Sequence, residues 1–277
     1  YKRQVGDGCP AGLSLNEEDI QKFLDRRKPG QSRYTTARKE GDLVEILSGV
    51  FEGKTTGTPI SLIVRNTDQR SRDYGNIAYT YRPGHADFTF DAKYGFRDYR
   101  GGGRSSGRET IGRVAAGAIA AKILETLEIS FYTYTKSIGP VKIESFDAEE
   151  ISKNAFYMPD AKAAEAAGAY LEECMKNQDS AGGIIECRIK NVPAGLGNPV
   201  FEKLDAVLAE AVMSIGAVKA VEIGDGIQVS AMKGSEDNDG FHMENGQITK
   251  NSNHAGGIMG GMSDGSEIIL RAAIKPS

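Results

Sequence analysis

One segment of the chain, residues 97–109, has the sequence RDYRGGGRSSGRE and combines arginines, glycines and serines. Its three consecutive glycines let the backbone approach a ligand closely. The capping-box spacing from Ser106 to Glu109 predicts that a helix starts there, and the free N–H groups at a helix start favour anions. Guanidinium groups and hydroxyls add further donors to phosphate or carboxylate. The segment predicts an anion-binding loop, and the alternative is a glycine loop that only starts a helix.

His85 is the candidate acid–base residue. It lies in the sequence RPGHAD, next to Gly84 and close to Arg82 and Asp87. Imidazole changes its charge near neutral pH, so a histidine in such a loop can transfer protons, although a lone histidine more often has a structural role. His254 is a weaker candidate, for which a hydrogen-bonding role in a loop is the default interpretation.

The chain has 277 residues and a formal net charge of −4, which does not suit a general nucleic-acid-binding polycation. No apolar stretch approaches the ~20 residues that a membrane span needs. The three cysteines form no CxxC pair and are widely spaced, which predicts free thiols in a reducing cytoplasm. The three histidines are also scattered, so neither residue type predicts a metal site. The basic residues form two runs, which predict local anion binding or, alternatively, solvated charged faces: Lys22, Arg26, Arg27, Lys28, Arg33, Arg38 and Lys39; then Arg97, Arg100, Arg104, Arg108 and Arg113.

Apolar periodicity predicts the elements that must position these residues. A capping-box spacing from Ser14 to Glu17 predicts a helix over 16–27, and residues 67–104 lack strong periodicity. Helices and strands do not alternate regularly, which favours an α+β fold with antiparallel sheets. Further helices are predicted from Ser106 onward, at 163–175 and at 201–215, and strands at 43–51, 60–66, 184–190, 227–233 and 267–274.

The two halves of the chain resemble each other. The sequence CPAGL at 9–13 precedes a helix, as does VPAGL at 192–196, and each half later has a glycine-rich turn followed by an apolar strand, at 53–64 and 261–272. These matches predict an internal duplication whose halves interleave within one domain, residues 1–277.

Two other functions compete for the same residues. Residues 49–55, GVFEGKT, approximate a phosphate-binding P-loop, which would suit a kinase, but they are one residue short between the glycines. A turn between two strands is the favoured interpretation of that segment. The arginine- and glycine-rich loop would also suit an RNA-binding module, although the acidic pI and the lack of an aromatic stacking pattern count against it.

Long sequence blocks resemble the chorismate synthase family. They cover nearly the whole chain in order: DRRKPGQSRYTTARKE at 25–40, SGVFEGKTTGTPI at 48–60, NTDQRSRDY at 66–74, RPGHAD at 82–87, KYGFRDYRGGGRSSGRET at 93–110, VPAGLG at 192–197, VKAVEIGDG at 218–226 and SNHAGGIMGGMSDG at 252–265. The resemblance implies a β-α-β sandwich subunit in a cytoplasmic homotetramer. It also implies a lyase that eliminates phosphate from 5-enolpyruvylshikimate 3-phosphate in the anti-1,4 sense to give chorismate. Reduced FMN is the implied cofactor, and NADPH is only an indirect reductant.

The same resemblance implies roles for individual positions. His85 matches a histidine thought to protonate the reduced flavin. Substrate or nucleotide phosphate is expected at Arg27, Arg33 and Arg100, and flavin contacts are expected at Arg104, Ser105, Ser106, Gly216, Ala217, Gly260, Lys275, Pro276 and Ser277.

The chain also departs from the family pattern. Nothing matches the family's N-terminal Gly-Glu-Ser-His-Gly motif, and the C-terminal segment with an Arg-His-Asp-Pro motif and a terminal helix is not matched either. The resemblance therefore predicts a domain that is incomplete at both ends and impaired or inactive. Lys28 stands where a third arginine is common, and Gly216 stands where asparagine is common.

Overall fold

The computed structural model describes residues 2–35, 41–65, 78–99 and 106–276. The chain divides into two compact units, Tyr1–Leu127 (unit 1) and Glu128–Ser277 (unit 2). Both units combine helices with antiparallel sheets, which confirms the predicted α+β class. The assignment of the whole chain to one domain stays a prediction.

The elements of unit 1 are β1 (Lys2–Gly6), α1 (Glu17–Arg27), β2 (Val44–Ser48), β3 (Val50–Phe51), β4 (Lys54–Thr55), β5 (Ile60–Val64), α2 (Asp87–Tyr94) and α3 (Thr110–Glu125). Three of the strands form an antiparallel sheet with the order β1-β5-β2. A short hairpin of β3 and β4 precedes the central strand.

The core of unit 1 fixes α1 and α3 against each other and against this sheet. The buried side chains are aliphatic and come from both helices and the sheet: Ile20 and Leu24 of α1, Ile111, Ala115, Ala118 and Ile119 of α3, and Val44, Ile60, Leu62 and Val64 of the sheet. Burial of this apolar surface holds the end of α1 close to the start of α3. Those two helix ends carry arginines from the two basic runs.

The start of α1 differs from the prediction in its capping residue. Asn16 is the N-cap: its Oδ1 accepts the Asp19 N–H at 3.0 Å, and Asp19 Oδ2 accepts the Asn16 N–H at 3.1 Å. Ser14, which the spacing indicated, instead pairs with Lys54. At the second predicted capping box, Ser106 Oγ accepts the N–H of Arg108 at 3.3 Å, and a 3-10 turn over Gly107–Glu109 leads into α3.

The elements of unit 2 are β6 (Ser130–Ile138), β7 (Val141–Lys142), α4 (Ala161–Lys176), β8 (Gly183–Lys190), α5 (Leu204–Met213), β9 (Val218–Ile223), α6 (Gly234–Asp237), β10 (Phe241–Glu244), β11 (Gln247–Lys250), β12 (Ile258–Met259), β13 (Met262–Ser263) and β14 (Ile268–Ile274). Five of the strands form an antiparallel sheet with the order β7-β6-β8-β14-β9, accompanied by the three α-helices and two small hairpins. A buried cluster of Met158, Ala163, Ala164 and Ala167 packs α4 on this sheet.

Two regions were predicted wrongly. The strand expected at 227–233 is largely a 3-10 helix over Gly226–Ala231, in which Ile227 is 76% exposed, so its alternating sequence pattern reflects no sheet face. The region 67–104, expected to be irregular, contains α2. Periodicity could not reveal α2, because its one buried residue is Asp87 rather than an apolar stripe. Residues 66–77 and 100–105 of that region lie outside the described residues.

The internal duplication is visible in matching hydrogen bonds. In unit 1, Thr55 O accepts the Gly12 N–H at 2.8 Å and Thr55 Oγ1 donates to Pro10 O at 2.6 Å. In unit 2, Ser263 O accepts the Gly195 N–H at 2.7 Å and Ser263 Oγ donates to Pro193 O at 2.6 Å. A hydroxyl on the second strand of a hairpin therefore fastens the Pro-Ala-Gly-Leu turn in both units.

The strand arrangement repeats as well. The order β1-β5-β2 in unit 1 corresponds to β8-β14-β9 in unit 2. In each unit a helix, α1 or α5, lies between the outer strands in the chain, and a short hairpin, β3-β4 or β12-β13, directly precedes the central strand. The predicted duplication is thus confirmed by topology in addition to sequence.

The segment that resembled a P-loop is a β-hairpin. Val50 pairs with Thr55 and Phe51 with Lys54, and Glu52 and Gly53 at the tip have φ values of 47° and 73°. Two consecutive residues with positive φ are typical of a tight hairpin turn, whereas a phosphate-binding P-loop leads from a strand into a helix. The kinase alternative therefore loses the feature on which it rested.

In the described part of the chain, no helix combines the length and apolarity needed to cross a membrane.

Candidate functional site

The two basic runs meet at Asp42 in unit 1. Arg27 Nη1 donates to Asp42 Oδ2 at 2.8 Å, and Arg108 Nη2 donates to Asp42 Oδ1 at 2.9 Å. The Asp42 side chain is fully buried, whereas the two guanidinium-bearing side chains remain 20% and 17% exposed. Two partly exposed guanidinium groups therefore lie on one buried carboxylate, which suits the binding of an anion at the exposed side.

Local structure explains why Arg27 is held here. It lies in the last turn of α1, where the helix dipole favours a cation. Its Nε donates to Thr110 Oγ1 at 3.2 Å and its Nη2 to Gly107 O at 3.5 Å. Arg27 therefore fastens the end of α1 to the turn that follows Ser106, which is the predicted anion-binding segment.

His85 lies beside a buried carboxylate. Its Nδ1 is 2.9 Å from Asp87 Oδ1, and the Asp87 side chain is 5% exposed. Arg82 grips the same carboxylate with both Nε and Nη2, each at 2.8 Å, and Arg97 Nη1 lies 3.4 Å from Oδ1. The hydrogen bonds from Arg82, together with the nearby charge of His85, outweigh burial and hold the pKa of Asp87 well below its usual range. Asp87 is therefore an ionised partner for the imidazole.

Aromatic residues flank this group in the sequence, and Arg97 contacts one of their rings. Tyr81 and Phe88 meet edge to face with centroids 5.6 Å apart, and the Arg97 guanidinium lies 4.9 Å from the Tyr81 ring centroid. Tyr79 and Phe96 are 97% and 81% exposed. Such a surface suits the stacking of a planar ring system beside His85.

Several predicted positions of unit 2 lie at strand ends. The Lys275 N–H donates to Ala217 O at 2.9 Å, which joins the end of β14 to the turn before β9. Gly216 precedes Ala217 in that turn, and Pro276 follows Lys275. Gly260 lies at the tip of the β12–β13 hairpin with a φ of 59°, and a Cβ atom there would meet open space.

The predicted position Arg33 contacts the aromatic residue that follows it. The Arg33 guanidinium stacks on Tyr34, with its Cζ 4.9 Å from the ring centroid, and Nη2 donates to the Tyr34 hydroxyl at 2.6 Å. Four predicted site residues lie outside the described residues: Arg100, Arg104, Ser105 and Ser277.

His254 has the loop role that was its default interpretation. Its Nδ1 lies 2.7 Å from Asp225 Oδ2, and its backbone N–H donates to Asp239 Oδ1 at 2.8 Å. The hydrogen bond to Asp225 raises the pKa of His254. Lys250 reaches Asp239 and Asp264 from the other side, so these polar contacts close a loop of unit 2 on itself.

Sequence reasoning missed Asp42 and a second buried carboxylate, Glu186. The Glu186 carboxylate accepts hydrogen bonds from Arg188 on its own strand and from three residues on the neighbouring strands of the unit 2 sheet: Tyr134, Lys136 and Arg271. Glu186 is in phase with Arg188 and Lys190 in the alternating segment 184–190, so the pattern places it on the polar side of the predicted strand and does not reveal its burial. Asp42 gives no signal either, because it lies between predicted elements.

Comparison with known proteins identifies the family. The family model for chorismate synthase matches residues 3–277. The chain is 65% identical over 275 residues to the chorismate synthase of Agathobacter rectalis, covering 99% of this chain and 75% of that protein. It is 54% identical over 271 residues to the enzyme of Chloroflexus aurantiacus, with 98% and 74% covered. A crystal structure of chorismate synthase superposes with a TM-score of 0.82 at 33% identity, covering 98% of this chain and 80% of that one. The chain therefore belongs to the chorismate synthase family of lyases, as the resemblance of its sequence predicted.

Proposed function

We propose that the chain catalyses the anti-1,4-elimination of phosphate from 5-enolpyruvylshikimate 3-phosphate to give chorismate, the last step of the shikimate pathway in aromatic amino acid biosynthesis. The observation that carries this proposal is the family match over residues 3–277, together with a relative that is 65% identical over 275 residues. The meeting of Arg27 and Arg108 at one buried carboxylate supports it, because the substrate carries a phosphate and two carboxylates. A locally cationic site in an acidic protein suits such a ligand.

We propose reduced FMN as the cofactor, with NADPH only as an indirect source of its electrons. Reduced flavin, when bound, supplies electron density that assists the breaking of the allylic C–O bond to phosphate. The donor chemistry of unit 1 fits a flavin phosphate, because Ser106 carries a hydroxyl at the start of a helix. Contacts to the cofactor are proposed at Arg104, Ser105, Ser106, Gly216, Ala217, Gly260, Lys275, Pro276 and Ser277.

The chain's own residues have three proposed tasks. Arg27 and Arg108, with Arg33 and Arg100, stabilise the negative charge of the departing phosphate. His85 holds a proton and exchanges it beside the cofactor. The exposed aromatic rings near His85 provide an apolar surface that excludes water from one side of the bound ring system.

The proposal is tested by titrating the protein with FMN, with and without 5-enolpyruvylshikimate 3-phosphate, and by measuring chorismate formation anaerobically with reduced FMN. We expect the substrate to tighten flavin binding and chorismate to form, and the rate of its formation tests the impairment that the departures from the family pattern predict. Arg27→Lys keeps the charge but loses the planar fork, so it should weaken substrate binding by about tenfold, the worth of ~1.4 kcal/mol. Arg65→Lys is the matched control on an exposed ion pair of the same unit and should change nothing. Absence of both flavin binding and chorismate formation would refute the proposed function.

A homotetramer in the cytoplasm completes the proposal. The family resemblance supports it, and light scattering coupled to gel filtration measures the assembly directly. A monomer at micromolar concentration would contradict the proposed assembly and leave the proposed reaction standing.

A further inference from the structure

Asp87 is held more firmly than a surface aspartate at the start of a helix requires. The bidentate grip of Arg82 covers both carboxylate oxygens, and the Arg82 backbone N–H adds a third contact to Oδ2 at 3.1 Å. Arg97 approaches from the far end of α2, where its Nε is also 3.5 Å from Asp91 Oδ2. In the described part of the chain, the charged and titratable groups in contact with Asp87 are Arg82, Arg97 and His85, which together fix its position and keep it ionised.

The orientation of the His85 ring follows from burial. Its Nδ1 has no accessible surface and lies 2.9 Å from Asp87 Oδ1, whereas the side chain as a whole is 25% exposed. The accessible surface of the ring therefore lies on its other atoms, which include Nε2. Although the two atoms are close, the ring is not aligned for a linear Nδ1–H···Oδ1 hydrogen bond. Catalytic hydrogen bonds are often poorly aligned before a ligand binds.

We propose that Asp87 is a positioning residue for the reaction: it accepts Nδ1–H of His85 and so leaves Nε2 as the ring atom that takes up and gives away the proton. This inference rests on the proposed role of His85. An ionised carboxylate on one ring nitrogen selects the tautomer with the proton on that nitrogen, and it stabilises the imidazolium while the second proton is present on Nε2. Asp87 itself is not protonated at any point. Arg82 and Arg97 support Asp87 and do not contact the reacting atoms in this assignment.

The scarcity of histidine makes the tautomer measurable. The chain has only three histidines, so long-range proton–nitrogen NMR spectra of the ring nitrogens contain three sets of signals, which single substitutions assign. We expect the neutral His85 ring to carry its proton on Nδ1 in the native protein. Asp87→Asn keeps the size of the side chain but turns an NH₂ group toward Nδ1, so the proton should move to Nε2. Asp225→Asn is the matched control: it removes the carboxylate partner of His254 and should leave the His85 signals unchanged.

Kinetics separate a positioning role from a structural one. With Asp87→Asn we expect kcat to fall by about 10²-fold, the lower end of the range for general acid–base catalysis. KM should change little, because the substrate contacts remain. Circular dichroism spectra and a melting temperature close to those of the native protein would show that the variant still folds.

Each outcome decides between the two proposals. Native kcat in His85→Ala would remove the proposed role of His85. Loss of activity in His85→Ala, combined with native kcat and an unchanged tautomer in Asp87→Asn, would overturn only the role of Asp87. If Asp87→Asn does not fold, the native protein still decides, because a neutral His85 with its proton on Nε2 contradicts the proposal without any variant.

Discussion

Asp42 gives the most direct test of the site's architecture. Asp42→Asn keeps the shape of the side chain and tolerates the left-handed backbone at this position, where φ is 44°, so the substitution removes charge without adding backbone strain. Each hydrogen bond between charged groups contributes about 1.5–3 kcal/mol, and the amide oxygen of the new side chain can keep one of the two. The guanidinium groups of Arg27 and Arg108 are partly exposed, so water recovers some of the loss. We therefore expect unit 1 to lose about 2–4 kcal/mol of its free energy of unfolding.

The assay is equilibrium denaturation in urea followed by circular dichroism, with Glu45→Gln as the matched control. Glu45 pairs with Arg65 at 2.7 Å, close to the Asp42 distances, but its side chain is 48% exposed. An exposed pair adds almost nothing to stability, so the control should unfold like the native protein. Equal unfolding midpoints for both variants would refute the argument that burial makes the Asp42 contacts strong.

Three further outcomes follow from the contacts of unit 2. Asp160 Oδ1 caps α4, and Asp160→Ala should lower the free energy of unfolding by about 1–2 kcal/mol in urea denaturation; an unchanged midpoint would contradict this. Burial by itself raises the pKa of Glu186, but hydrogen bonds from neighbouring cations and a tyrosine outweigh it and lower the pKa to about 2. The stability that Glu186 contributes is therefore complete above its unfolded value of 4.5 and is lost as the pH falls toward 2. Acid unfolding followed by circular dichroism should accordingly be shallower in Glu186→Gln, and an identical acid profile would refute the assignment. A Cβ atom on Gly224 would collide with the carbonyl oxygen of His254, so Gly224→Ala should abolish the cooperative thermal transition of unit 2. A Cβ atom on Gly246 would meet open space, so Gly246→Ala should lower the free energy of unfolding by only about 1 kcal/mol. Similar melting curves for the two variants would show that the loops do not pack as described.

Local signals in the sequence predicted the elements that have an apolar stripe. The helix over 16–27 and the strand over 267–274 were predicted close to their observed bounds, because each has a buried face with the period of its element. The failures have the opposite cause. The segment at 227–233 alternates like a strand although Ile227 is exposed, and α2 has no apolar stripe at all.

The sequence alone determined four properties of this protein, since long matching blocks and repeated turns are local patterns: the family, the α+β class, the duplicated halves and the choice of His85 as the acid–base candidate. The tertiary structure alone decided that Arg27 and Arg108 share Asp42. That contact depends on the packing of α1 against α3, and core packing between distant segments leaves no spacing in the sequence from which a partner could be identified. The same holds for the orientation of His85: RPGHAD places an aspartate two residues away, but only the folded loop, with both oxygens of Asp87 held by Arg82, turns that carboxylate toward Nδ1.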